Sequence, residues 1–383
     1  MLLAVGTVAC GHSEPFVTAD QEIAGPFAGV VPLQLTYSPL SDYEPGISAD
    51  GTWLTYQFER GTNDQDRCIA ILPAAGGQRQ QELCAWALDQ ADRADGLANA
   101  ALRADGMIAF TMHSGMIGNM TSDTAGLYLA PSDSLAGAVR VLTLLERPPG
   151  ALSVWQDLMD PVWTGPDELM VLAGERFLAN ATSICTAQCG GSIPYDLDRT
   201  ALRDTIMLGR ELARLRISDG RATVSSTRGV PVSTVWSLDR STGMAYVVSK
   251  YVSPFDDFVM ESVADTVFAV DPSGAPHTPR YGTATINDNR FLEQIHGIAS
   301  TEGRVFLSRS WRDLGLVGRF NILPGTTLHS EISELLLDGS LRPVAPAVSW
   351  RWGKLRLSSD GRYLYAEAHD RTSSDIYRIE LTP

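Results

Sequence analysis

The sequence predicts an all-β protein: a six-bladed β-propeller of four-stranded blades, closed by an N-terminal strand that completes the last blade. Three observations predict it. A phrase of strand, tight turn and strand, first met as "ISADGTWLTY" (Ile47 to Tyr56), occurs six times at intervals of roughly 55 to 75 residues. An apolar third strand follows each copy, and a fourth follows five of them. The fourth strand that the last copy lacks stands at the other end of the chain, as "VVPLQLTYS" (Val30 to Ser38).

The copies after the first are "LRADGMIAF" (Leu102 to Phe110), "WTGPDELMVL" (Trp163 to Leu172), "LDRSTGMAYVV" (Leu238 to Val248), "ASTEGRVFL" (Ala299 to Leu307) and "LSSDGRYLYAEA" (Leu357 to Ala368). Each places Gly or Pro/Asp turn chemistry between apolar, β-branched and aromatic runs, which is the signature of a hairpin. The third strands read "RCIAILP", "GLYLAPS", "LARLRIS", "TVFAVDP", "EISELLLD" and "DIYRIEL", and fourth strands such as "AVRVLTLL" and "RATVSST" come next. No blade buries both faces alone, and pairing the first strand with the last blade leaves no long exposed sheet edge. The third and fourth copies depart most from the phrase, so a seventh, degenerate blade stays open as a less favoured alternative.

The phrases "ISADGTWLTY" and "LSSDGRYLYAEA…DIYRIEL" resemble the WD40-like repeats of TolB-type propellers and of the propeller domains of tricorn-type and prolyl-oligopeptidase-related peptidases. The resemblance covers nearly the whole chain after about residue 30. It implies a fold rather than an activity, because one fold hosts many functions.

The chain has 383 residues, 44% hydrophobic and 20% charged, enough to bury a substantial core. Its formal net charge of -15 repels phosphate backbones and anionic membrane surfaces, which argues against a nucleic-acid partner. No run approaches the roughly 18 apolar residues of a membrane-spanning helix. The N-terminus "MLLAVGTVACGHSEP" instead resembles a bacterial lipoprotein signal, with Thr7-Val8-Ala9-Cys10 as a loose lipobox. That resemblance implies residues 1-9 as a signal remnant, 10-29 as a lipidated Cys10 and tether, and 30-383 as a single propeller domain. It places the protein in the periplasm or at the cell surface, touching membrane only through its lipid. Gly11 lacks the Asp associated with inner-membrane retention, which favours the outer membrane. The segment has no basic leading region and barely fills an apolar stretch, so the true start of the signal stays open, and an N-terminal strand with a buried cysteine is the alternative.

Five cysteines are an odd number, and lipidation of Cys10 leaves two pairs. "RCIAILPAAGGQRQQELCAW" reads as a hairpin turning at Ala74 to Gly77, which sets Cys68 opposite Cys84 at disulfide distance. Cys185 and Cys189, in a Gly/Ser-rich loop, can close a small ring.

In such a ring the first strand of each blade lines the channel. Connections from second to third strands then share a face with the starts of the first strands, and in this sequence they are long: His113 to Ala125, Arg176 to Thr205, Lys250 to Val263 and Trp311 to Leu328. The opposite turns are short, and function concentrates on decorated faces. Seven positions before each turn glycine, at the channel mouth on the long-loop face, stand Glu44, Asn99, Asp160, roughly Trp236, His296 and Lys354. Glu44, Asp160 and His296 form a candidate set for a divalent cation, and Glu44, Asn99, Asp160, His296 and Lys354 for a polar ligand. A wet channel mouth also explains polar residues there. His113, Trp311, Arg312 and Trp352 are candidates for the binding face, since aromatics and arginine are enriched in hot spots; a core role competes for each tryptophan.

The sequence holds no G-x-S-x-G elbow, phosphate-binding loop, H-E-x-x-H or EF-hand pattern. "INDNR" (Ile286 to Arg290) reads either as a metal loop or as a turn. Two readings follow. The leading one is a non-enzymatic, monomeric, lipid-anchored propeller that binds a protein, peptide or glycan through its long-loop face. The alternative is a propeller hydrolase, lyase or lactonase that uses a cation at the channel mouth.

Overall fold

The repeated phrase builds a turn that satisfies its own polar groups. In the computed structural model, Asp50 Oδ1 accepts from Ser48 Oγ at 2.6 Å and Thr52 N at 3.2 Å, while Trp53 N donates to Ser48 Oγ at 2.9 Å. The last copy repeats these contacts with Ser358, Asp360, Arg362 and Tyr363. Gly51 and Gly361 take positive φ, 74° and 67°, which the turn requires and a side chain resists. The Ser and Asp thus cap orphan N-H groups at the hairpin end, and the apolar alternation on either side carries the strands away from it.

The structure describes residues 31-37, 40-60, 67-84, 95-114, 125-134, 137-144, 146-155, 157-174, 210-230, 233-251, 264-271, 274-275, 277-283, 286-287, 290-313, 328-348, 350-369 and 373-381. They form strands without a helix among them. The first, β1 (Leu33–Gln34), belongs to the last sheet. Blade one is β2 (Asp42–Ile47), β3 (Trp53–Glu59), β4 (Arg67–Pro73) and β5 (Gln81–Cys84). Blade two is β6 (Asp95–Leu102), β7 (Met107–Ser114), β8 (Gly126–Pro131) and β9 (Val139–Thr143). Blade three is β10 (Asp157–Gly165), β11 (Glu168–Gly174), β12 (Arg210–Ser218) and β13 (Arg221–Val230). Blade four is β14 (Ser233–Leu238), β15 (Ala245–Tyr251), β16 (Ala264–Val270) and β17 (Thr278–Gly282). Blade five has a short extra strand, β18 (Ile286–Asn287), before β19 (Arg290–Thr301), β20 (Arg304–Asp313), β21 (Leu328–Leu335) and β22 (Leu341–Val348). Blade six is β23 (Arg351–Leu357), β24 (Tyr363–His369) and β25 (Ser374–Glu380), completed by β1.

The chain is thus a six-bladed, all-antiparallel propeller, and no seventh blade occurs among the described residues. Of the "INDNR" stretch, Ile286 and Asn287 pair with Phe291 and Arg290 as antiparallel strands, and residues 288-289 lie outside the described ones.

The seam closes as expected but with a shorter ladder. Only Leu33 and Gln34 pair as a strand, opposite Arg378 and Tyr377, whereas the sequence suggested Val30 to Ser38. Side chains extend the ladder. Thr36 Oγ1 accepts from Ile376 N at 2.9 Å and donates to Asp375 Oδ1 at 3.2 Å, and Gln34 Nε2 donates to Asp375 Oδ2 at 3.1 Å.

Apolar clusters fill the wedges between neighbouring blades. Leu54, Tyr56 and Cys68 of blade one pack with Leu35, Tyr365 and Ile376 of blade six. Trp155, Leu158 and Trp163 join blade three to Ala109, Leu127 and Leu142 of blade two. Burial at roughly 25 cal/mol per Å² makes these wedges the main stabilising term. Cys68 and Cys84 are direct cross-strand partners in β4 and β5, and they form the expected disulfide with Cα atoms 4.3 Å apart. Cys10, Cys185 and Cys189 lie outside the described residues, as do most of the four long connections.

Candidate functional site at the channel mouth

The first strands β2, β6, β10, β14, β19 and β23 run from the long-loop end of the channel toward the hairpin turns, and neighbouring members contact one another around the ring. All six carry a register shift near the same level, between Tyr43 and Gly46, Ala98 and Ala101, Met159 and Val162, Ser233 and Val235, Ile295 and Gly297, and Trp352 and Leu355. A bulge leaves one residue out of the ladder and re-aims it. Glu44, Asn99 and Asp160 occupy the bulges of the first three blades in left-handed backbone, with φ of 55°, 53° and 48°. That conformation costs of order 1 kcal/mol for a side-chain-bearing residue, and it frees their N-H groups from the strand ladder.

Those N-H groups are taken up from blade to blade. Glu44 N donates to Glu367 Oε2 of blade six at 3.4 Å, Asn99 N to Glu44 Oε2 at 3.4 Å, and Asp160 N to Asn99 Oδ1 at 3.3 Å. The Asn99 amide nitrogen completes the link by donating to Leu158 O and Thr111 Oγ1, both at 3.1 Å. Glu367, Glu44 and Asn99 therefore each hold the bulge backbone of the following blade with a side chain.

Asp160 turns across the channel. Its Oδ1 lies 2.5 Å from Lys354 Nζ and 2.5 Å from Arg356 Nη2, both on β23, and Lys354 Nζ is also 3.5 Å from Glu44 Oε1. Burial pushes the Lys354 pKa down, but the Asp160 and Glu44 carboxylates outweigh it and hold the ammonium above its ordinary range. Glu367 is the reverse case. Its burial is outweighed by His369, whose Nε2 is 2.6 Å from Oε1, and by Lys354, so its carboxyl stays below the usual range. Both groups are fixed in their charged forms.

The structure thus brings together Glu44, Asn99, Asp160 and Lys354 and adds Arg356 and Glu367, which sequence reasoning missed. Asn99, Asp160 and Glu367 are buried, and Trp236 at the fourth position is core, its Nε1 donating to Met159 O at 3.4 Å. His296 is half-buried and its Nε2 bonds Ser310 Oγ at 2.7 Å. The cation set proposed from sequence, Glu44, Asp160 and His296, is not assembled: no group of three His, Cys, Asp or Glu gathers for a metal among the described residues, and the Lys354 ammonium sits between the two carboxylates.

The binding-face candidates also sort out. Trp352 is not on a surface. It is fully buried in the last blade with Trp350 and edge-on to Tyr377, because alternation in "WRW" sends both tryptophans to one face and that face is the core. Trp311 is half-buried at the end of β20, stacked on His329 at 5.8 Å with the Arg309 guanidinium over its ring. Behind it Arg309 is buried between Glu293 and Glu331. His113 and Arg312 lie on strands whose side chains at those positions are outside the described set.

No family model matches the chain, and no curated protein does. Solved structures do. A gluconolactonase from Xanthomonas campestris is 10% identical, with 93% of this chain and 91% of that one covered and a TM-score of 0.45. An alpha-L-arabinanase from Penicillium chrysogenum is 13% identical, with 92% and 98% covered and a TM-score of 0.46. TolB from Acinetobacter baumannii is 12% identical over 82% of this chain, which spans 56% of that structure, with a TM-score of 0.43. The likeness is one of fold. It joins TolB to two enzymes with different substrates, so it does not choose an activity for this chain.

Proposed function

We propose that this propeller is a non-enzymatic binding protein of the cell envelope, anchored by a lipid on Cys10 with the outer membrane favoured, that takes a protein, peptide or glycan on its long-loop face. One observation carries the reading: the ionisable groups at the channel mouth are matched to one another. Lys354 is driven up and Glu367 down, whereas a general acid or base needs a pKa brought toward the working pH. The mouth is a network of paired charges, and the connections from second to third strands are long in sequence, as in scaffolds that recognise partners with loops. The Cys68–Cys84 bridge suits an oxidising compartment.

The test is capture from envelope extracts with the full chain as bait, beside a variant whose segment 314-327 is replaced by a Gly/Ser linker. A partner retained by the wild type and lost with the segment supports the reading. Background recovery with both baits counts against it, as does a partner indifferent to the replacement.

A further inference from the structure

The channel has a second end. On the hairpin-turn side of the Asp160 and Arg356 pair lies a cavity of about 260 Å³ walled by the first strands of all six blades, through Gly46, Ala100, Asp160, Trp236, Ala299 and Arg356 among others. Its size falls just below the roughly 300–1,000 Å³ of typical small-molecule sites, so an occupant is a small one.

Arg240, in the turn after β14, lines this cavity. The preceding residue, Asp239, is fully buried and fully used: it accepts from Ser241 N at 2.9 Å, Ser241 Oγ at 2.7 Å and, across the blade boundary, Gly303 N at 2.7 Å. Asp239 therefore fixes the turn that carries Arg240 without neutralising it. The guanidinium makes no ion pair, hydrogen bond or ring contact among the described residues; the residue is exposed to solvent at the cavity rim, and the protein around it only lowers its pKa, with no carboxylate opposing the effect. Every other arginine or lysine discussed at the channel is paired.

The wall beside it supplies a further donor. Ser237 Oγ and Ser300 Oγ lie 2.9 Å apart, and Ser300 N donates to Ser237 Oγ. Two hydroxyls own two protons and their mutual bond uses one, which leaves an O-H for a ligand. Apolar wall from Trp163, Trp236 and Leu238 lowers the local dielectric and strengthens a charge-assisted bond. Glu302 also lines the rim, so the cavity is not uniformly positive. It favours a ligand that concentrates its negative charge at Arg240.

We propose that this cavity is a binding site for a small organic carboxylate, held by a bidentate contact to the Arg240 guanidinium with Ser237 or Ser300 donating to a second oxygen. A planar guanidinium fork matches a carboxylate, and Arg240 reaches the cavity with its donors not committed to a partner carboxylate. The site lies at the opposite end of the channel from the long-loop face, so it stands or falls independently of the function proposed above.

The experiment is isothermal titration calorimetry of the full chain with succinate, using uncharged succinamide and inorganic phosphate as comparison probes. Saturable succinate binding is expected, with none for succinamide. Arg240→Gln is expected to weaken it by on the order of tenfold or more, and Arg240→Lys by less, because the charge survives and the fork does not. Thermal melts of both variants establish that they fold as the wild type does; should Arg240→Gln not fold, Arg240→Lys decides alone. No saturable succinate binding, equal binding of succinamide, preference for phosphate, or an affinity unchanged in the folded variants overturns the proposal.

Discussion

Lys354 Nζ lies 2.5 Å from Asp160 Oδ1, joining the sixth blade to the third across the width of the channel. In a ring of six those blades face each other, so the contact is a strut between opposite walls, and Arg356 doubles it. Asp160 is almost fully buried.

Removal of one partner strands the other charge. Asp160→Asn leaves Lys354 and Arg356 facing each other in a desolvated channel and is expected to cost about 3–5 kcal/mol in urea denaturation. The double variant Asp160→Asn with Lys354→Met is expected to recover part of that loss. A double-variant cost equal to the sum of the Asp160→Asn and Lys354→Met costs measured singly would show that the strut adds no coupling.

The seam makes stability depend on pH. Asp42 is fully buried, and burial followed by the neighbouring Asp375 carboxylate pushes its carboxyl up to about 7, against a weaker pull from Thr36 and Arg79. Between the unfolded value of about 3.9 and that figure the folded chain holds a proton the unfolded chain releases, so stability falls as pH rises through this window and levels above it. Asp239 has the opposite sign. Burial raises its carboxyl, but bonds from Ser241, Gly303 and Thr242 together win and hold it low, so its contribution is present above about pH 4 and fades in stronger acid. Urea midpoints measured from pH 3 to 8 are expected to peak at about pH 4 to 5. Asp42→Asn is expected to flatten the decline toward neutrality; a wild type that is level from 4.5 to 7.5 contradicts the assignment.

Reduction of the Cys68–Cys84 bridge, which closes a loop of 16 positions within blade one, is expected to cost about 3 kcal/mol on chain-entropy grounds. The Cys68→Ala, Cys84→Ala chain, melted beside the oxidised protein, gives the number. A loss well below 1 kcal/mol would mean that the β4 and β5 pairing alone suffices.

Blades five and six touch backbone to backbone. A Cβ on Gly297 would come within 2.4 Å of Gly353 O and 2.8 Å of Ser308 Oγ, so Gly297→Ala must push two inner strands apart. Destabilisation of about 1–3 kcal/mol is expected from overpacking, read from thermal melting, whereas Gly274→Ala in an open turn, which bears only the cost of its positive φ of 92°, is expected to lose less.

Metal analysis of purified protein by inductively coupled plasma mass spectrometry is expected to show no occupancy that depends on Glu44 or Asp160, since Lys354 neutralises both. Stoichiometric metal lost in Glu44→Ala and Asp160→Ala would revive the hydrolase reading.

Much of the fold was legible because its grammar is local. The Ser and Asp of "ISADG" and "LSSDG" cap the turn within five residues, so the signal and its cause share one window. Counting seven back from the turn glycine, or from Asp167 at the equivalent place in the third copy, also found Glu44, Asn99, Asp160 and Lys354, because the bulges recur at one height. What escaped was set between blades. Glu367 reads in "YLYAEA" as one more polar position, and its partner Glu44 stands 323 positions away in blade one. The same holds for the cation set: spacing placed three ligand types on a ring, but did not show the ammonium that one blade extends between two of them. For Trp352 the alternation with Trp350 was visible, and following it would have assigned both to the core.

The seam also sets an order of events. The bond from Gln34 to Asp375 spans 341 positions, so two segments far apart along the chain must meet before the ring is whole. Contacts of such separation slow folding, and blades one to five can pack against one another while the gap stays open. An open ring displays a three-stranded sheet with a free edge, which a second molecule's β1 segment can occupy as readily as its own. Crowded refolding would therefore tie neighbouring chains into exchanged pairs, and dilution would favour the solitary ring.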